Sequence, residues 1–341
     1  EGNRQVRLQM LERCREKLLE IRQLRHFVAA AEAGNLRKAS ENIHISHPAL
    51  SMSIKNLEED LGVVLLNKNR RGVQMTAAGE QFLKSAHSLL RQFDVLRNSV
   101  QGTDGNPVGN VRLGLPYGIN NAIAAPLFRI MSNRYPDVNL DIEEGNTTFL
   151  ERAYEDNLID LMVNYDFEER MDQKSEPLYS EDLYFVRAYD PEIEHVKEID
   201  LKDLEHYQIG SSPGRYSLRR TLEKYAHENG VKFRFVADFR SASASIKITE
   251  AGLMSTVCPW DWIHDQVASK RVCAAKIINP SMSRTACIVS SLSEKPVPAI
   301  DATIGAIKQA IALAEKEGKL RGTIFHSDQA EALASLEDMI R

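Results

Sequence analysis

The sequence contains few cysteines. The four thiols among its 341 residues stand at positions 14, 258, 273 and 287, without a C-x-x-C pair or a spacing typical of metal ligands. Neither a disulfide-stabilised secreted domain nor a structural metal site is therefore expected. Isolated thiols suit a reducing compartment, and we expect a cytoplasmic protein.

Long apolar runs are also lacking. No stretch approaches the ~18 consecutive apolar residues that would indicate a membrane span. The charged N-terminus has no apolar segment of the kind found in signal peptides, so secretion is not expected. The absence of H-E-x-x-H, P-loop and G-x-G-x-x-G motifs gives no support for a metal, nucleotide or dinucleotide cofactor. The length allows two or three domains.

Charge is unevenly distributed along the chain, whose net charge is -5. Residues 1–105 carry 16 Lys/Arg and 12 Asp/Glu, whereas the remaining residues carry 27 and 36. A basic front and an acidic back indicate that the front alone meets a polyanion. A solvated helical face would produce the same excess of basic residues. Only a recognisable binding motif in this part of the chain distinguishes that interpretation from polyanion binding.

The spacing of apolar residues predicts three helices in the basic part. Gly34 is placed to end the first, Asn35 to cap the second, and Ser46 to cap the third, with Pro48 in the first turn. The third helix has one apolar face, formed by Leu50, Ile54, Leu57 and Leu61. A tight turn between two short helices, with the small Ala39 at their packing point, predicts a helix-turn-helix.

A hairpin, or wing, is expected after the third helix. The β-like run Val63–Leu66 and the short segment Val73–Met75 flank the basic turn Asn67–Gly72. A long helix that begins at Thr76 follows, and residues 102–109 form a hinge rich in turn formers.

The long helix carries an a/d heptad seam. The seam consists of Phe82, Ala86, Leu89, Phe93, Leu96 and Val100. Because the preceding domain already has a core, we expect the seam to pair with a second copy of the chain. The alternative is that it packs on its own domain.

The polar face of the third helix is the candidate DNA-reading surface. Its N-terminal turn can enter the major groove, and basic residues on the wing can reach flanking phosphates. The candidate DNA-binding residues are Arg37, Ser46, His47, Pro48, Ser51, Met52, Lys55, Arg70 and Arg71. An ordinary helical bundle is the alternative, because helix-turn-helix patterns also match by chance.

From residue 110 onward, strand-like and helical segments alternate. Strand-like segments such as Val111–Leu115, Val138–Ile142 and Leu161–Val163 are separated by helical spacing. This order predicts an α/β domain whose ligand lies at the C-terminal ends of parallel strands.

Many ordered segments resemble the LysR-type transcriptional regulators over about residues 22–315. In the basic part the matching segments are Leu24–Val28, Ala31–Leu36, Lys38–Ser40, Ser46–Ser51 and Thr76–Gly79. In the acidic part they are Tyr135–Val138, Glu144–Gly145, Leu158–Val163 and Ala251–Pro259. Two departures, His47 where the family usually has Gln and Met52 where a basic or polar residue is common, bear on which DNA sequence is read.

The resemblance implies an α+β multidomain fold with a winged helix-turn-helix, a long linker helix and a two-lobed effector domain like a periplasmic binding protein. The implied divisions are 1–21 (N-terminal extension), 22–80 (DNA-binding domain), 76–105 (linker and dimerisation helix), 110–316 (effector domain, with lobe I at 111–183 and 284–316 and lobe II at 184–283) and 317–341 (C-terminal tail). It further implies a sequence-specific regulator that binds an interrupted DNA dyad as a homodimer or homotetramer. A small-molecule effector controls it, and RNA polymerase is a candidate partner.

Loops that face the implied cleft supply the candidate effector-binding residues. These are Tyr117, Asn120, Asn146, Thr147, Ser212, Arg215, Ser241 and Ser243. Hydroxyls, amides and helix N-termini favour a small polar or anionic ligand such as an organic acid, with Arg215 as a partner for its carboxylate. Each of these residues taken singly is equally compatible with capping a helix.

Enzymatic interpretations are weaker. Gly210–Gly214 matches G-x-S-x-G, but Pro213 has no N–H to complete an oxyanion hole, and we expect no enzyme. Cys258 and Cys287 lie in apolar strand-like segments, which favours packing over redox sensing. The rival from another class is a solute-binding or enzymatic α/β protein whose N-terminal domain is an interaction module.

Overall fold

The computed structural model describes residues 19–69, 72–101, 106–165, 173–291 and 297–325, with the backbone alone at 68, 94, 95 and 97–101. The chain divides into two compact units, residues 1–98 and residues 99–341. Within the described ranges, no helix combines the length and the apolar character needed to cross a membrane.

The first unit is a small helical domain with a wing. Its elements are α1 (Ile21–Ala33), α2 (Leu36–Asn42), α3 (His47–Leu61), β1 (Leu66–Asn69), β2 (Gly72–Met75) and α4 (Ala77–Gln101). The predicted caps are present. Gly34 ends α1 at a φ of 59°, Asn35 Oδ1 accepts from the first turn of α2, and Ser46 Oγ accepts from Ala49 N at 3.3 Å.

The core of this unit lies where the first three helices meet. Phe27, Leu50 and Leu57 are fully buried. Phe82 of α4 packs edge to face on Phe27, with 5.1 Å between the ring centroids. The apolar spacing therefore predicted the buried face of α3 correctly at Leu50, Ile54 and Leu57, whereas Leu61, assigned to the same face, is 40% exposed.

The wing begins later than the sequence pattern predicts. Val63 and Val64 are exposed, and the first strand starts at Leu66. The reason is a side-chain anchor from α3: Glu58 Oε1 accepts from the backbone N of Leu65 at 2.7 Å and of Leu66 at 2.9 Å. This anchor fixes the chain before pairing starts, so that β1 pairs with β2 from Leu66 onward.

The second unit is an α/β domain. Its strands are β3 (Gly109–Pro116), β4 (Val138–Gly145), β5 (Leu161–Tyr165), β6 (Gln173–Ala188), β7 (Glu198–Asp200), β8 (Gln208–Ser211), β9 (Arg234–Asp238), β10 (Ser255–Pro259), β11 (Val272–Ile278), β12 (Ser283–Ser291) and β13 (Gly322–Ile324). Its helices are α5 (Tyr117–Arg134), α6 (Thr147–Glu155), α7 (Ser217–Asn229), α8 (Ala242–Glu250), α9 (His264–Ala268) and α10 (Pro298–Lys316), with 3-10 turns at Leu201–His206 and Trp260–Trp262.

Two lobes share the long strand β6. Its first part pairs with β12 and β13 beside β5, β3 and β4, which together form lobe I. Its second part pairs with β10 and β11, and β10 continues to β8 and β9, which form lobe II. Strands β3, β4 and β5 are parallel, as are β8, β9 and β10. The helices α5, α6, α7 and α8, which follow β3, β4, β8 and β9, therefore begin beyond the C-terminal ends of those strands.

Residues 317–325 belong to lobe I, whereas the sequence assigned them to a separate tail. Leu320 is buried, and β13 pairs with residues 179–181 of β6. Trp260 Nε1 donates to the carbonyl of Gly318 at 2.8 Å, and the Arg321 guanidinium stacks 3.3 Å from the Trp260 ring centroid. Residues 326–341 of the expected tail and residues 1–18 of the expected extension lie outside the described ranges.

Candidate nucleic-acid interface and ligand pocket

The N-terminal half of α3 presents a polar face opposite its apolar one. Leu50 and Ile54 are buried, whereas His47, Pro48 and Lys55 are exposed. Two further candidates share the outward face: Met52 is 58% exposed and Ser51 is half-buried. The helix therefore offers donors and an apolar group at the spacing with which a recognition helix reads base edges.

Two candidate DNA-binding cations each form an exposed ion pair. Lys55 Nζ lies 3.3 Å from Glu59 Oε1, and Arg37 Nε lies 3.4 Å from Glu41 Oε1. Surface pairs of this kind contribute about 0–1 kcal/mol, so that a phosphate can replace the carboxylate at little cost. Arg70 and Arg71 of the wing lie outside the described residues.

A contact that the sequence did not reveal positions α3 on α1. His26 Nδ1 and Ser53 Oγ are 2.8 Å apart. Burial, together with the nearby Arg22, lowers the pKa of His26, so its imidazole is mainly neutral at pH 7. A neutral ring keeps charge away from the packing interface of the two helices.

The heptad seam of α4 divides into two parts. Phe82 packs on Phe27 and Ala86 is fully buried, so these two residues serve the unit's own core, which corrects the expectation that they face a second copy. Farther along, Leu89 and Leu96 are 47% and 63% exposed. Phe93 is partly covered by the Arg25 guanidinium, 5.9 Å from its ring centroid. The side chain of Val100 lies outside the described set.

A cavity of about 460 Å³ lies between the two lobes. Both lobes contribute to its wall, and this size is typical of small-molecule sites. Six residues nominated from the sequence line it: Tyr117, Asn146, Thr147, Ser212, Ser241 and Ser243.

Two nominated residues do not line the cavity. Asn120 lies inside α5 and not in a loop, and its Nδ2 donates to Glu144 Oε2 at 2.8 Å. The Arg215 guanidinium lies over the Tyr216 ring, 5.2 Å from its centroid, and its carbonyl oxygen accepts from Thr148 and Arg220. Arg215 is therefore not placed as the predicted carboxylate partner.

The sequence missed most of the charged and aromatic wall. Arg240 and the acidic pair Glu143 and Glu144 line the cavity, as does Arg284 of β12. Arg240 directly precedes the nominated Ser241, so its position was within reach of the same reasoning. Arg284 comes from a buried strand distant in sequence, and no local signal marks it.

Four helices begin at this cavity. They are α5, α6, α7 and α8, whose first residues or caps all line it. Asn146 Oδ1 caps α6 through Phe149 N, and Ser241 Oγ caps α8 through Ala244 N. The caps of α5 and α7, Pro116 and Tyr216, supply no side-chain hydrogen bond. Free backbone N–H groups and the aligned dipoles favour a negatively charged ligand group there.

A buried polar network lies beside the cavity where β6 and β12 pair. The Arg284 guanidinium donates to Glu181, and Tyr165 and Tyr179 donate to Glu181 Oε2 at 3.0 and 2.7 Å. Asp261 is 1% exposed, and Tyr179 Oη lies 3.5 Å from its Oδ2. Burial and the neighbouring Glu181 raise the pKa of Asp261 well above its usual range.

The segments considered for catalysis and redox sensing are a loop at Ser212 and a buried strand at Cys258. Strand β8 ends at Ser211 and α7 begins only at Ser217, so Ser212 lies in a loop and not at a strand-to-helix elbow. Burial raises the pKa of the Cys258 thiol well above its ordinary value, which suits a packing role. Among the described residues, no cluster of His, Cys, Asp or Glu is placed to hold a metal ion.

Two family models match the chain. The bacterial regulatory helix-turn-helix protein model of the lysR family matches residues 21–80, and the LysR substrate binding domain model matches residues 104–312. The first match covers α1 to β2 and the first residues of α4, and it includes the outward face of α3. The second covers the two lobes and the cavity between them.

Similar proteins are regulators of the same kind. The nitrogen assimilation regulatory protein nac of Klebsiella aerogenes is 27% identical over 266 residues, which are 78% of this chain and 86% of that protein. The Hca operon transcriptional activator HcaR of Escherichia coli K12 is 33% identical over 210 residues, which are 58% of this chain and 67% of that protein.

Solved structures share the fold. Full-length CbnR in complex with its target DNA has a TM-score of 0.65 at 23% identity, over 86% of this chain and all 100% of that chain. A full-length OxyR variant from Pseudomonas aeruginosa has a TM-score of 0.70 at 21% identity, over 91% of this chain and 99% of that chain. Together with the two family models, these likenesses show that the chain belongs to the LysR family of DNA-binding transcriptional regulators.

Proposed function

We propose that this regulator binds an interrupted DNA dyad as a homodimer, with α3 of each copy in the major groove, and that a small anionic effector between the lobes controls it. The observation that carries the DNA-binding part is the exposed polar turn of α3 opposite its buried apolar face. His47 and Ser51 would contact base edges, Met52 a thymine methyl, and Lys55 a guanine or a phosphate.

Dimerisation is supported by the exposed leucines of α4. Leu89 and Leu96 are one heptad apart and lie on the helix that follows the DNA-binding core. Pairing them with a second copy would bury apolar surface and place two recognition helices in one particle. Two-fold symmetry then requires half-sites about 10–10.5 bp apart or at a multiple of this distance.

Effector control is supported by the inter-lobe cavity. Its walls come from both lobes, so a ligand that contacts both walls has different affinities for two lobe arrangements. Such a difference is what couples ligand binding to a conformational equilibrium. RNA polymerase and a tetrameric assembly remain further proposals, for which the resemblance to the family is the support.

The test is selection of genomic DNA fragments by the purified full-length chain at near-physiological salt, followed by footprinting. We expect an extended footprint with two-fold-related half-sites. Weak, unselective binding that disappears as salt rises would contradict a sequence-specific regulator, because such binding reflects phosphate contacts alone.

A further inference from the structure

The inter-lobe cavity is far richer in aromatic side chains than the chain as a whole. Six of the twenty described residues that line it are aromatic, against 7% of the sequence. They are Tyr117, Phe149, Tyr165, Tyr216, Phe239 and Trp262. Tyr117 and Trp262 meet edge to face, with 5.9 Å between centroids. A wall of this composition matches a planar apolar ring, for which aromatic contacts add to simple burial.

One part of the wall is built for a carboxylate. Ser217, in the first turn of α7, is 3% exposed, and its Oγ has no hydrogen-bond partner among the described residues. The residue lines the cavity, and the N-terminus of its helix has no side-chain cap. A buried hydroxyl without a partner is costly, and an anionic acceptor would satisfy both it and the free N–H groups. Arg240 adds a cation on the same lobe.

The opposite lobe disfavours a second negative charge. Glu143 and Glu144 lie near the C-terminal end of β4 and line the cavity, and the described residues include no ion pair to either. Glu144 accepts a hydrogen bond from the neutral amide of Asn120. A second carboxylate on the ligand would face these like charges, whereas a hydroxyl or amino group would donate to them.

The remaining cation of the wall does not require another anion. Arg284 lines the cavity but donates to the buried carboxylate of Glu181, and its guanidinium lies 3.6 Å from the centroid of the Tyr165 ring. Its charge is therefore matched within the protein.

Lobe I also carries the uncapped start of α5, but Asn120 in the first turn of that helix already donates to Glu144. On lobe II the uncapped start of α7 lies with Arg240 and with the Ser217 hydroxyl, which has no partner among the described residues, so the carboxylate is assigned to that lobe.

We infer that the effector is an aromatic monocarboxylate that carries a hydrogen-bond donor, a hydroxyl or an amino group, at the end of the ring away from the carboxylate. The carboxylate lies at Ser217 and the start of α7, the ring lies among the six aromatic side chains, and the donor faces Glu143 and Glu144. This inference rests on the proposed effector role of the cavity.

The test compares four probes on the full-length chain by titration calorimetry and tryptophan fluorescence. Trp262 lines the cavity and is one of two tryptophans in the sequence, so its emission reports occupancy. The probes are 4-hydroxybenzoate, terephthalate, 4-hydroxybenzyl alcohol and 4-hydroxycyclohexanecarboxylate. We expect 4-hydroxybenzoate to bind at least about tenfold more tightly than each of the others. Terephthalate has a second carboxylate in place of the hydroxyl group, 4-hydroxybenzyl alcohol lacks the negative charge, and 4-hydroxycyclohexanecarboxylate lacks the aromatic ring.

Paired variants locate the two ends of the ligand. Ser217→Ala should weaken 4-hydroxybenzoate binding about tenfold, because a hydrogen bond to a charged group is lost. Ser245→Ala is its matched control, since Ser245 is equally buried and its Oγ has no described partner, but it does not line the cavity.

Glu143→Gln combined with Glu144→Gln should abolish the discrimination against terephthalate. Asp141→Asn on the same strand should leave it intact.

The inference is overturned if any of the other probes binds as tightly as 4-hydroxybenzoate, if none of the four binds, or if Ser217→Ala and Ser245→Ala behave alike. A DNA footprint on the same preparation separates the two levels of the argument. A footprint without probe binding contradicts the ligand class alone, whereas a preparation that gives no footprint contradicts the proposed function.

Discussion

Buried charge at the lobe junction is the feature with the clearest energetic consequence at the scale of single residues. Glu181, Asp261 and Arg284 are all nearly inaccessible, with Arg284 donating to Glu181 and Tyr179 Oη lying between Glu181 and Asp261. One Asp261 oxygen, Oδ1, has no hydrogen-bond partner among the described residues and lies against Gly118, where a Cβ would approach within 2.4 Å. An ionised Asp261 would be poorly compensated there, which agrees with a protonated carboxyl.

Replacing Asp261 with Asn should therefore change how stability depends on pH. Because the pKa of Asp261 is raised by burial, the folded state retains a proton that the unfolded state releases above about pH 4. Its contribution to stability is complete at low pH and decreases as pH rises through the folded-state pKa, by up to about 1.4 kcal/mol per pH unit. Asp261→Asn should remove this slope in urea titrations followed by Trp260 and Trp262 fluorescence.

Asp265→Asn is the matched control for this prediction. The Asp265 side chain is 72% exposed and lies in the same segment of the chain. Its replacement should leave the pH slope of the parent in place. An unchanged slope in Asp261→Asn would mean that Asp261 is ionised in the folded protein.

Two helical glycines should respond to alanine in opposite directions. A Cβ on Gly79 would lie 2.2 Å from the carbonyl oxygen of Leu65, so α4 and the wing would have to separate. A Cβ on Gly305, inside α10, would meet nothing within 4 Å. Gly79→Ala should destabilise by about 1–3 kcal/mol, as overpacking does. Gly305→Ala should stabilise by about 0.4–1 kcal/mol through reduced chain entropy in the unfolded state. Urea denaturation of both variants measures this, and a Gly79→Ala variant that is not destabilised would contradict the close approach of α4 to the Leu65 carbonyl.

At the scale of elements, α4 has two functions along its length. Its first turns complete the core of the DNA-binding unit through Phe82 and Ala86, and its later turns expose Leu89 and Leu96. The sequence indicated one continuous seam because a heptad pattern records that residues are apolar, not which surface covers them. Burial in the structure distinguishes the two parts.

Leu89→Lys should prevent dimerisation. The change places a charge at the exposed part of the seam. Pairing of two copies would then remove two lysine charges from water, one from each copy. We expect monomers in sedimentation velocity and poor affinity for an operator with two half-sites. Gln92→Lys adds the same charge to an exposed position of the same helix outside the heptad positions and should leave the dimer intact. A dimeric Leu89→Lys protein would show that copies associate through another surface.

Lys55→Ala tests the outward face of α3. The exposed Lys55–Glu59 pair adds little to stability, so the variant should fold as the parent does. If Lys55 contacts a phosphate, operator affinity should fall for all sequences, and the slope of log affinity against log salt should decrease by about one. Lys232→Ala, an exposed lysine of lobe II, is the control. A loss confined to particular operator bases would instead assign Lys55 to a guanine.

At the scale of the whole molecule, the sequence predicted the order of elements well and the interior of the pocket incompletely. Helix caps and strand ends are local signals, and six of the eight nominated pocket residues, all at such positions, line the cavity. Arg284 and Tyr165 are separated by more than one hundred residues and meet only because β5 and β12 pair. The prediction that Arg215 faces the ligand was wrong, because closeness to a helix start in the sequence does not fix the direction in which a long side chain points.

If the lobes transmit a signal to DNA, binding at the two sites must be coupled reciprocally. An effector that changes operator affinity by some factor has its own affinity changed by the same factor when the operator is bound. We therefore expect the dissociation constant of 4-hydroxybenzoate, measured by Trp262 fluorescence, to differ between free protein and protein saturated with operator DNA. The ratio should equal the change in operator affinity caused by saturating 4-hydroxybenzoate, typically about 5- to 150-fold. A Ser217→Ala chain should show the same limiting ratio at higher ligand concentration, because the substitution weakens binding without altering the two lobe arrangements. Equal affinities with and without operator would mean that the cavity binds a ligand that does not control DNA binding.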